Sequence, residues 1–306
     1  MGNAKTVLVA GSANLDFVVR AAHVPAPGET VLGRELALFP GGKGANQAVA
    51  AARAGGAEVR MLVALGDDAF AAQLEAPLRA AGVDAAIVHV AGSASGSAFI
   101  CIADDGENSI TVASGANLHL APEHLPPLEG ISHLLMQLEI PLASVLAYAQ
   151  AAHGAGVNVV LNAAPAQALP RALLDYVDVL IVNEGELAAL AGAHPEAGLS
   201  AQCEAIGVPC IVVTLGAQGA LLWQRGQPTI EQAAFPVEVV DTTGAGDVFC
   251  GVFTAALAGG AMSQQAMRDA AAASALACTK LGAQSGTPTR EELERFLAER
   301  SAGNAA

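Results

Sequence analysis

The chain has 306 residues, 53% of them hydrophobic and 14% charged, a balance that excludes intrinsic disorder and provides for a core needing neither disulfides nor a structural metal. Its 14 Lys and Arg against 29 Asp and Glu leave a net charge of -15. So sparse a basic complement excludes nucleic-acid binding by counterion release, yet a few backbone N–H groups at a helix start can still hold a small anion.

The five cysteines (Cys101, Cys203, Cys210, Cys250 and Cys278) contain no C-x-x-C pair. They read as small buried residues of a protein in a reducing, cytoplasmic compartment. No uncharged apolar run approaches the roughly 18 residues of a membrane helix, so no membrane partner is expected. The start, MGNAKTVLVAG, lacks the apolar stretch of a signal peptide. Met1, Gly2 and Thr6 fit the loose N-myristoylation pattern, which is short enough to arise by chance.

Along the chain, short β-branched runs alternate with alanine-rich segments. KTVLVAG, EVRMLVALG, HLLMQLE, VNVVLNAAP, VDVLIVNEGE and CIVVTLG each precede a helix-like stretch. Alternation of this kind predicts an α/β fold with a mainly parallel central sheet flanked by helices on both faces. VDVLIV and CIVVTL are apolar without a period of two, as in strands buried on both sides. No charge run or Ser/Pro linker divides the chain, so residues 1–300 are expected to form one domain and residues 301–306 a disordered tail. Segments 17–39 and 97–114 break the pattern, with short alternating strands around the turns VPAPGET and ADDGEN. They form either a small β-sheet lid beside the site or ordinary edge hairpins.

Three segments carry chemistry. GSANLD, from Gly11 to Asp16, follows the first strand. Ligands of open α/β sheets bind outside the carboxyl ends of strands, so Asn14 and Asp16 either hold a polyol there or form an Asx turn closing the strand. In PGGKGANQAVAAARAGG, from Pro40 to Gly56, Gly41 and Gly42 permit close backbone approach and Lys43 offers a cation. Asn46 lies in the first turn of an alanine-rich helix that Gly55 can end. This is not a Walker A loop, because Ala37 and Gly44 stand where that motif needs glycine and a hydroxyl. It is a ligand-docking helix start or a glycine-rich turn. In VVDTTGAGDVFCGVFTAAL, Thr242 to Gly246 read as a turn after a strand, and a helix begins near Asp247. The turn's N–H groups and the helix dipole together make an anion hole. Asp247 at its edge either accepts a proton from a hydroxyl attacking a phosphoryl group or serves as a helix N-cap.

Taken together, GSANLD, PAPGETV, GGKGANQAVA, GENSITVASGAN, LLMQLE, LNAAPA, VNEGE, TLGAQGA, DTTGAGD and GAQSGTP resemble, in content and order, the ribokinase-like carbohydrate kinases of the phosphofructokinase-B type. The resemblance covers about residues 5–297. It implies ATP-dependent phosphorylation of D-ribose at the 5-hydroxyl, giving D-ribose 5-phosphate and ADP. It places sugar contacts at Asn14, Asp16, Gly42, Lys43, Asn46 and Glu139, with Asp247 as catalytic base and Gly244, Ala245 and Gly246 as anion hole. Asn183 and Glu186 match an N-x-x-E element associated with magnesium and phosphate. Thr214, Leu215, Gly216, Ala217, Gln218 and Gly219 match the nucleotide-binding turn. An activating potassium ion is implied at Asp241 and Thr243, completed near Gly282 by Ala277, Lys280 and Gly286.

Two departures stand out. Ala271 replaces an asparagine common near the adenine site, and Gly286 replaces the usual serine of the potassium site. The resemblance also implies a homodimer clasped through lid strands bearing Val18, Val31, Leu36, Phe99 and Ile102, residues that could equally cover their own active site. The alternatives are a related kinase for deoxyribose, fructose or a nucleoside, and a non-catalytic sugar-binding regulator on the same fold. The seven histidines show no zinc-site spacing, and the absence of G-x-G-x-x-G argues against a dehydrogenase. Trp223 reads as a packed or edge aromatic or an adenine-stacking one, and the acid pairs Asp67–Asp68 and Asp104–Asp105 as solvated turns.

Overall fold

The structure, a computed structural model, describes residues 6–192 and 198–303. Met1 and Gly2 of the acylation pattern, and residues 304–306 of the expected tail, lie outside the described residues. The apolar runs become β1 (Thr6–Ala10), β2 (Asn14–Arg20), β3 (Glu35–Gly41), β4 (Val59–Gly66), β5 (Asp84–Val90), β6 (Gly96–Ile102) and β7 (Asn108–Ala113) in the first part of the chain. Then follow β8 (Ile131–Met136), β9 (Asn158–Asn162), β10 (Val179–Asn183), β11 (Cys210–Thr214), β12 (Ala220–Gln224) and β13 (Ile230–Gln232). The helices are α1 (Lys43–Arg53), α2 (Ala69–Ala80), α3 (Leu142–Gly154), α4 (Arg171–Leu174), α5 (Glu184–Ala191) and α6 (Leu199–Ile206), then α7 (Ala245–Ala258), α8 (Ser263–Ala277), α9 (Ala283–Gly286) and α10 (Arg290–Gly303).

Nine strands form one sheet in the order β13-β12-β11-β10-β9-β8-β1-β4-β5, parallel except where β12 pairs antiparallel with β11 and β13. Within β1, Val7 and Val9 point into a core shared with α1, α7 and α8, while Leu8 and Ala10 point into a second core with Tyr148 of α3. Both faces are dry, which is why these strands lack polar alternation; each fully buried leucine or valine side chain contributes about 1.5–3 kcal/mol. The predicted architecture is the observed one.

Alanine and glycine set how closely the helices approach. A Cβ on Gly251 of α7 would lie 2.4 Å from the Gln47 carbonyl oxygen of α1, and one on Gly55 would lie 2.3 Å from the Ala255 Cβ. Only glycine lets α1 and α7 meet backbone to backbone, and that contact brings the polar start of α1 against the start of α7.

The two segments outside the pattern form a four-stranded sheet, ordered β3-β2-β6-β7, in which only β2 and β6 run parallel. Several details differ from the sequence reading. CIVVTL is followed by the antiparallel strand β12 rather than a helix, because Gly216 and Gly219 turn the chain straight back. No strand precedes DTTGAGD: residues 233–240 are irregular, and the Val240 and Asp241 N–H groups both donate to the Cys278 carbonyl at the end of α8. Asp68 is not a solvated turn residue but the N-cap of α2, accepting from the Phe70 and Ala71 N–H groups and from Ser95. Asp104 and Asp105 are exposed. Trp223 packs within β12 at 9% exposure. Ser301 to Gly303 continue α10 instead of fraying. Among the described residues, no helix is long and apolar enough to cross a membrane.

Candidate active site

The candidate residues collect at the carboxyl ends of the parallel strands and at the starts of α1, α5 and α7. Asn14 opens β2 and is not an Asx turn. Its Oδ1 accepts from Asn117 Nδ2 at 2.8 Å, and Asn117 also exchanges hydrogen bonds with the backbone N–H and carbonyl of Ala13. The Asn14 amide is thereby oriented, with its Nδ2 left without a partner among the described residues. Gly96 makes room for this contact, since a Cβ there would lie 2.2 Å from Asn14 Oδ1.

Asp16 is two residues on, and its carboxyl pKa is pushed up to about 7 by burial, then by the charges of Glu139 and Asp247. Gly41 leaves space for it, as a Cβ there would meet Oδ2 at 2.2 Å. Gly42, the N-cap of α1, has φ 89°, and its Cβ would strike Ala13 Cα and Asn14 N at 2.7 Å, so only glycine serves. Glu139 Oε2 accepts from Ser12 Oγ at 2.5 Å and from the Lys43 N–H at 3.0 Å. The Lys43 ammonium is held above its ordinary pKa chiefly by Asp247, against burial, with Glu139 and Glu186 adding to the effect.

Beside this cluster lies a cavity of about 140 Å³, lined by Lys43, Asn162, Ala164, Ile181, Asn183, Glu186, Thr214, Gly244, Gly246, Asp247 and Cys250. Gly244 caps α7 in the left-handed region at φ 75°, against Ala283, where a Cβ would lie 2.5 Å from the Ala283 Cβ. Helix α7 starts at Ala245, so Asp247 is its third residue and not its N-cap. First-turn N–H groups of a helix have no partner within it, which leaves Gly246 and Asp247 offering theirs to a ligand. The buried Asp247 carboxylate accepts from Asn46 Nδ2 at 2.9 Å and from Gln47 Nε2 at 3.0 Å, one on each oxygen. Asn46, predicted as a sugar contact, is thus bonded to the carboxylate that lines the cavity, and its buried Oδ1 has no partner among the described residues.

Asn183 and Glu186 cap α5 reciprocally: Asn183 Oδ1 accepts from the Glu186 N–H at 2.8 Å and Glu186 Oε2 from the Asn183 N–H at 2.9 Å. The second Glu186 oxygen has no hydrogen-bond partner among the described residues. Burial raises the pKa of this carboxyl, the Asn183 N–H and Lys43 act against the rise, and Asp247 adds to it. Of the predicted nucleotide turn, only Thr214 lines the cavity; Leu215 and Gly216 to Gly219 follow it around the end of β11, with Gly216, Ala217 and Gln218 exposed. Asp241 accepts from the Thr243 N–H and the Gly282 N–H, both at 2.9 Å. Burial alone would raise the Asp241 pKa, but the Thr243 side chain, then the Gly282 and Thr243 N–H groups and the charge of Arg20, outweigh it and hold the carboxyl low. A Cβ on Gly286 would lie 3.1 Å from the Ala277 carbonyl oxygen and 3.5 Å from that of Lys280, so two carbonyls face the space that glycine leaves. The Lys280 ammonium turns away to Glu292. Ala271 is buried in α8. Among the described residues, no group of three or more His, Cys, Asp or Glu is gathered for a metal ion.

The family model for pfkB family carbohydrate kinases matches residues 4–290. The chain belongs to that family. The ribokinase of Haemophilus influenzae is 41% identical over 303 residues, spanning 96% of this chain and 98% of its own. The crystal structure of a ribokinase from Thermotoga maritima matches with a TM-score of 0.88 at 36% identity, over 96% of this chain and 99% of that one. A ribokinase of Arabidopsis thaliana, solved with ribose and ATP, gives a TM-score of 0.86 at 33% identity over 95% and 98% of the two chains.

In this pfkB-family chain, five further polar residues surround the candidate set: Ser12, Gln47, Asn117, Gln137 and Asn162, all buried. The sequence carries a signal for two of them. Gln137 and Asn162 end apolar strand runs, where a polar residue must find a partner. Ser12, Gln47 and Asn117 look no different in sequence from exposed loop or helix residues.

Proposed function

We propose that the chain is an ATP-dependent ribokinase transferring the γ-phosphoryl group to the 5-hydroxyl of D-ribose. The observation that carries this reading is the Asp247 carboxylate, which lines the cavity at the start of α7, accepts from Asn46, and lies close enough to Asp16, beside Glu139, to act on its charge. The relatives named ribokinase, one of them solved with ribose and ATP, support it. In this reading, the Asn14 amide donates to one sugar hydroxyl while Asp16 and Glu139 accept from others, and Lys43 adds a charged donor. The 5-hydroxyl, directed at Asp247, loses its proton to that carboxylate as it attacks the phosphorus in line. The N–H groups of Gly244, Gly246 and Asp247 stabilise charge developing on the phosphoryl oxygens, the predicted Ala245 N–H being spent on the Thr242 carbonyl, and the turn from Thr214 to Gly219 holds the nucleotide.

Oxygen donors suit both implied cations. The free oxygen of Glu186, beside Asn183, would help hold magnesium, which supplies charge neutralisation at the phosphates. Asp241, Thr243 and the carbonyls near Gly282, including those of Ala277 and Lys280 facing Gly286, would hold potassium, which would stiffen the anion-hole turn. The four-stranded sheet serves as the lid of a single domain. Its exposed Leu36, Leu38 and Phe99, which the register sets on one face, form the contact of a homodimer, while Ile110 and Val112 are exposed on the other face. Sugar and ATP are the partners of a cytoplasmic enzyme with no nucleic-acid or membrane role.

A coupled assay of ADP release across pentoses, hexoses and nucleosides, with and without potassium, tests the reading. Ribose should be the preferred acceptor, and Asp247→Asn should lose about 10²- to 10⁴-fold in kcat while ribose affinity stays within a few-fold. Near-normal turnover by Asp247→Asn removes the assigned base. Strong use of another acceptor beside negligible use of ribose reassigns the substrate, and background ADP release with every sugar favours the regulator.

A further inference from the structure

Asp247 is held by two amides, and the second belongs to no predicted site. Gln47 is fully buried, so it cannot touch a substrate. Its Nε2 spends one hydrogen on Asp247 Oδ1 and the other on Asn162 Oδ1, each at 3.0 Å. Its Oε1 accepts from Gln137 Nε2 at 2.6 Å. Gln137, also fully buried, follows β8, and its own Oε1 has no partner among the described residues. That oxygen fits beside Gly11 only because residue 11 lacks a side chain, as a Cβ there would lie 2.1 Å away.

An amide can reverse its ends, so the direction of this chain needs a fixed point. Asn162 supplies it. Its Nδ2 donates to the Ile181 carbonyl at 3.1 Å, which only a donor can do, and its Oδ1 therefore faces Gln47. Reversing Gln47 would set its carbonyl against Asn162 Oδ1 and the Asp247 carboxylate at once, two acceptor contacts in a dry interior.

We infer that Gln47 is a positioning residue for the phosphoryl-transfer reaction: a relay of oriented amides, with Gln137 behind Gln47 and Asn162 fixing its direction, holds Asp247 Oδ1 and so aims the other oxygen at the attacking hydroxyl. The inference rests on the reading of Asp247 as the base. Asn46 bonds the other oxygen and keeps an Oδ1 with no partner among the described residues, so it can also answer to substrate binding, whereas Gln47 acts only through the carboxylate.

The test combines steady-state kinetics with ribose calorimetry in the absence of ATP. Gln47→Met keeps length and burial while removing both donors. It should lower kcat about 10- to 100-fold, with the ribose Kd and the ATP KM within about threefold. Gln137→Met leaves Gln47 and its direction in place but removes the donor that anchors its Oε1, and should lower kcat by a smaller factor in the same pattern. It carries the test by itself if Gln47→Met fails to fold. Combining the two should lower kcat no further than Gln47→Met alone, because Gln137 acts only through Gln47; a further fall in kcat would overturn the relay. Asp247→Asn, run beside them, separates the two ideas. If Asp247→Asn is inactive but Gln47→Met or Gln137→Met keeps full kcat, or loses sugar affinity in step with kcat, the relay is wrong and the base assignment stands. If Asp247→Asn retains turnover, the reading beneath the relay fails first.

Discussion

Replacing Asp16 by asparagine removes an ionisable carboxyl while preserving its volume and one acceptor. The folded chain raises the pKa of this group from 3.8 to about 7, through burial first and then through Glu139 and Asp247. Between those two values the native state holds a proton that the unfolded chain has released, so stability falls as pH rises through the window, and the loss is complete above about 7. A shift of about three units corresponds to a ceiling of about 4 kcal/mol, at roughly 1.4 kcal/mol per unit. Urea unfolding of the ligand-free protein should therefore show Asp16→Asn gaining on the parent chain by about 2–3 kcal/mol between about pH 5 and about pH 8. The sugar end of the argument is also measurable. Ribose hydroxyls donating to Asp16 favour the carboxylate, so binding near neutral pH should expel a proton, seen by calorimetry in two buffers of different ionisation heat. Parallel stability profiles for the two proteins, together with a binding heat that does not depend on buffer, would refute the reasoning.

Two further outcomes follow from the same frame. Asn117→Ala strips the buried N–H and carbonyl of Ala13 of their partner and frees the Asn14 amide; it should destabilise the chain by about 2–4 kcal/mol in denaturant and raise the ribose KM, and an unchanged KM would break the link to Asn14. Sedimentation at micromolar concentration should give a dimer that Leu38→Lys dissociates, whereas a monomer at every concentration would leave the exposed Leu36, Leu38 and Phe99 face of the four-stranded sheet unexplained.

What could be read from the sequence divides along physical lines. KTVLVA, VDVLIV and CIVVTL were legible as strands because a segment buried on both faces must be apolar throughout. The DTTGAGD turn was legible because a left-handed residue at Gly244 and close contact with Ala283 leave few alternatives to glycine. The edge strands β5 and β13 were harder, since each is partly exposed and mixes polar with apolar residues. The Val239–Val240 run has strand-like chemistry, yet both side chains are more than half exposed and the backbone is tied to the Cys278 carbonyl instead of a sheet edge. That is a tertiary choice that local propensity does not carry. Asp247 shows the same limit at finer scale: its place as third helical residue, rather than N-cap, depends on where Gly244 turns the chain. Gln47 was invisible for a different reason. In GANQAVA its letter is the same whether the amide meets water or a carboxylate 200 positions away.

The chain's acidity sharpens why amides, rather than cations, surround Asp247. Asp16, Glu139, Glu186 and Asp247 lie close enough to act on one another or on a single lysine, Lys43. A second cation beside Asp247 would relieve that crowding, but it would also hold the carboxylate ionised and make it a poorer acceptor of the sugar's proton. Neutral donors separate the two effects. Asn46 and Gln47 fix the position of both oxygens while adding no charge, and the positive field stays at the backbone of α7, where phosphate charge would develop in the proposed transfer. On this view, the scarcity of Lys and Arg is compatible with phosphoryl chemistry: the site needs direction more than it needs charge, and buried amides supply direction.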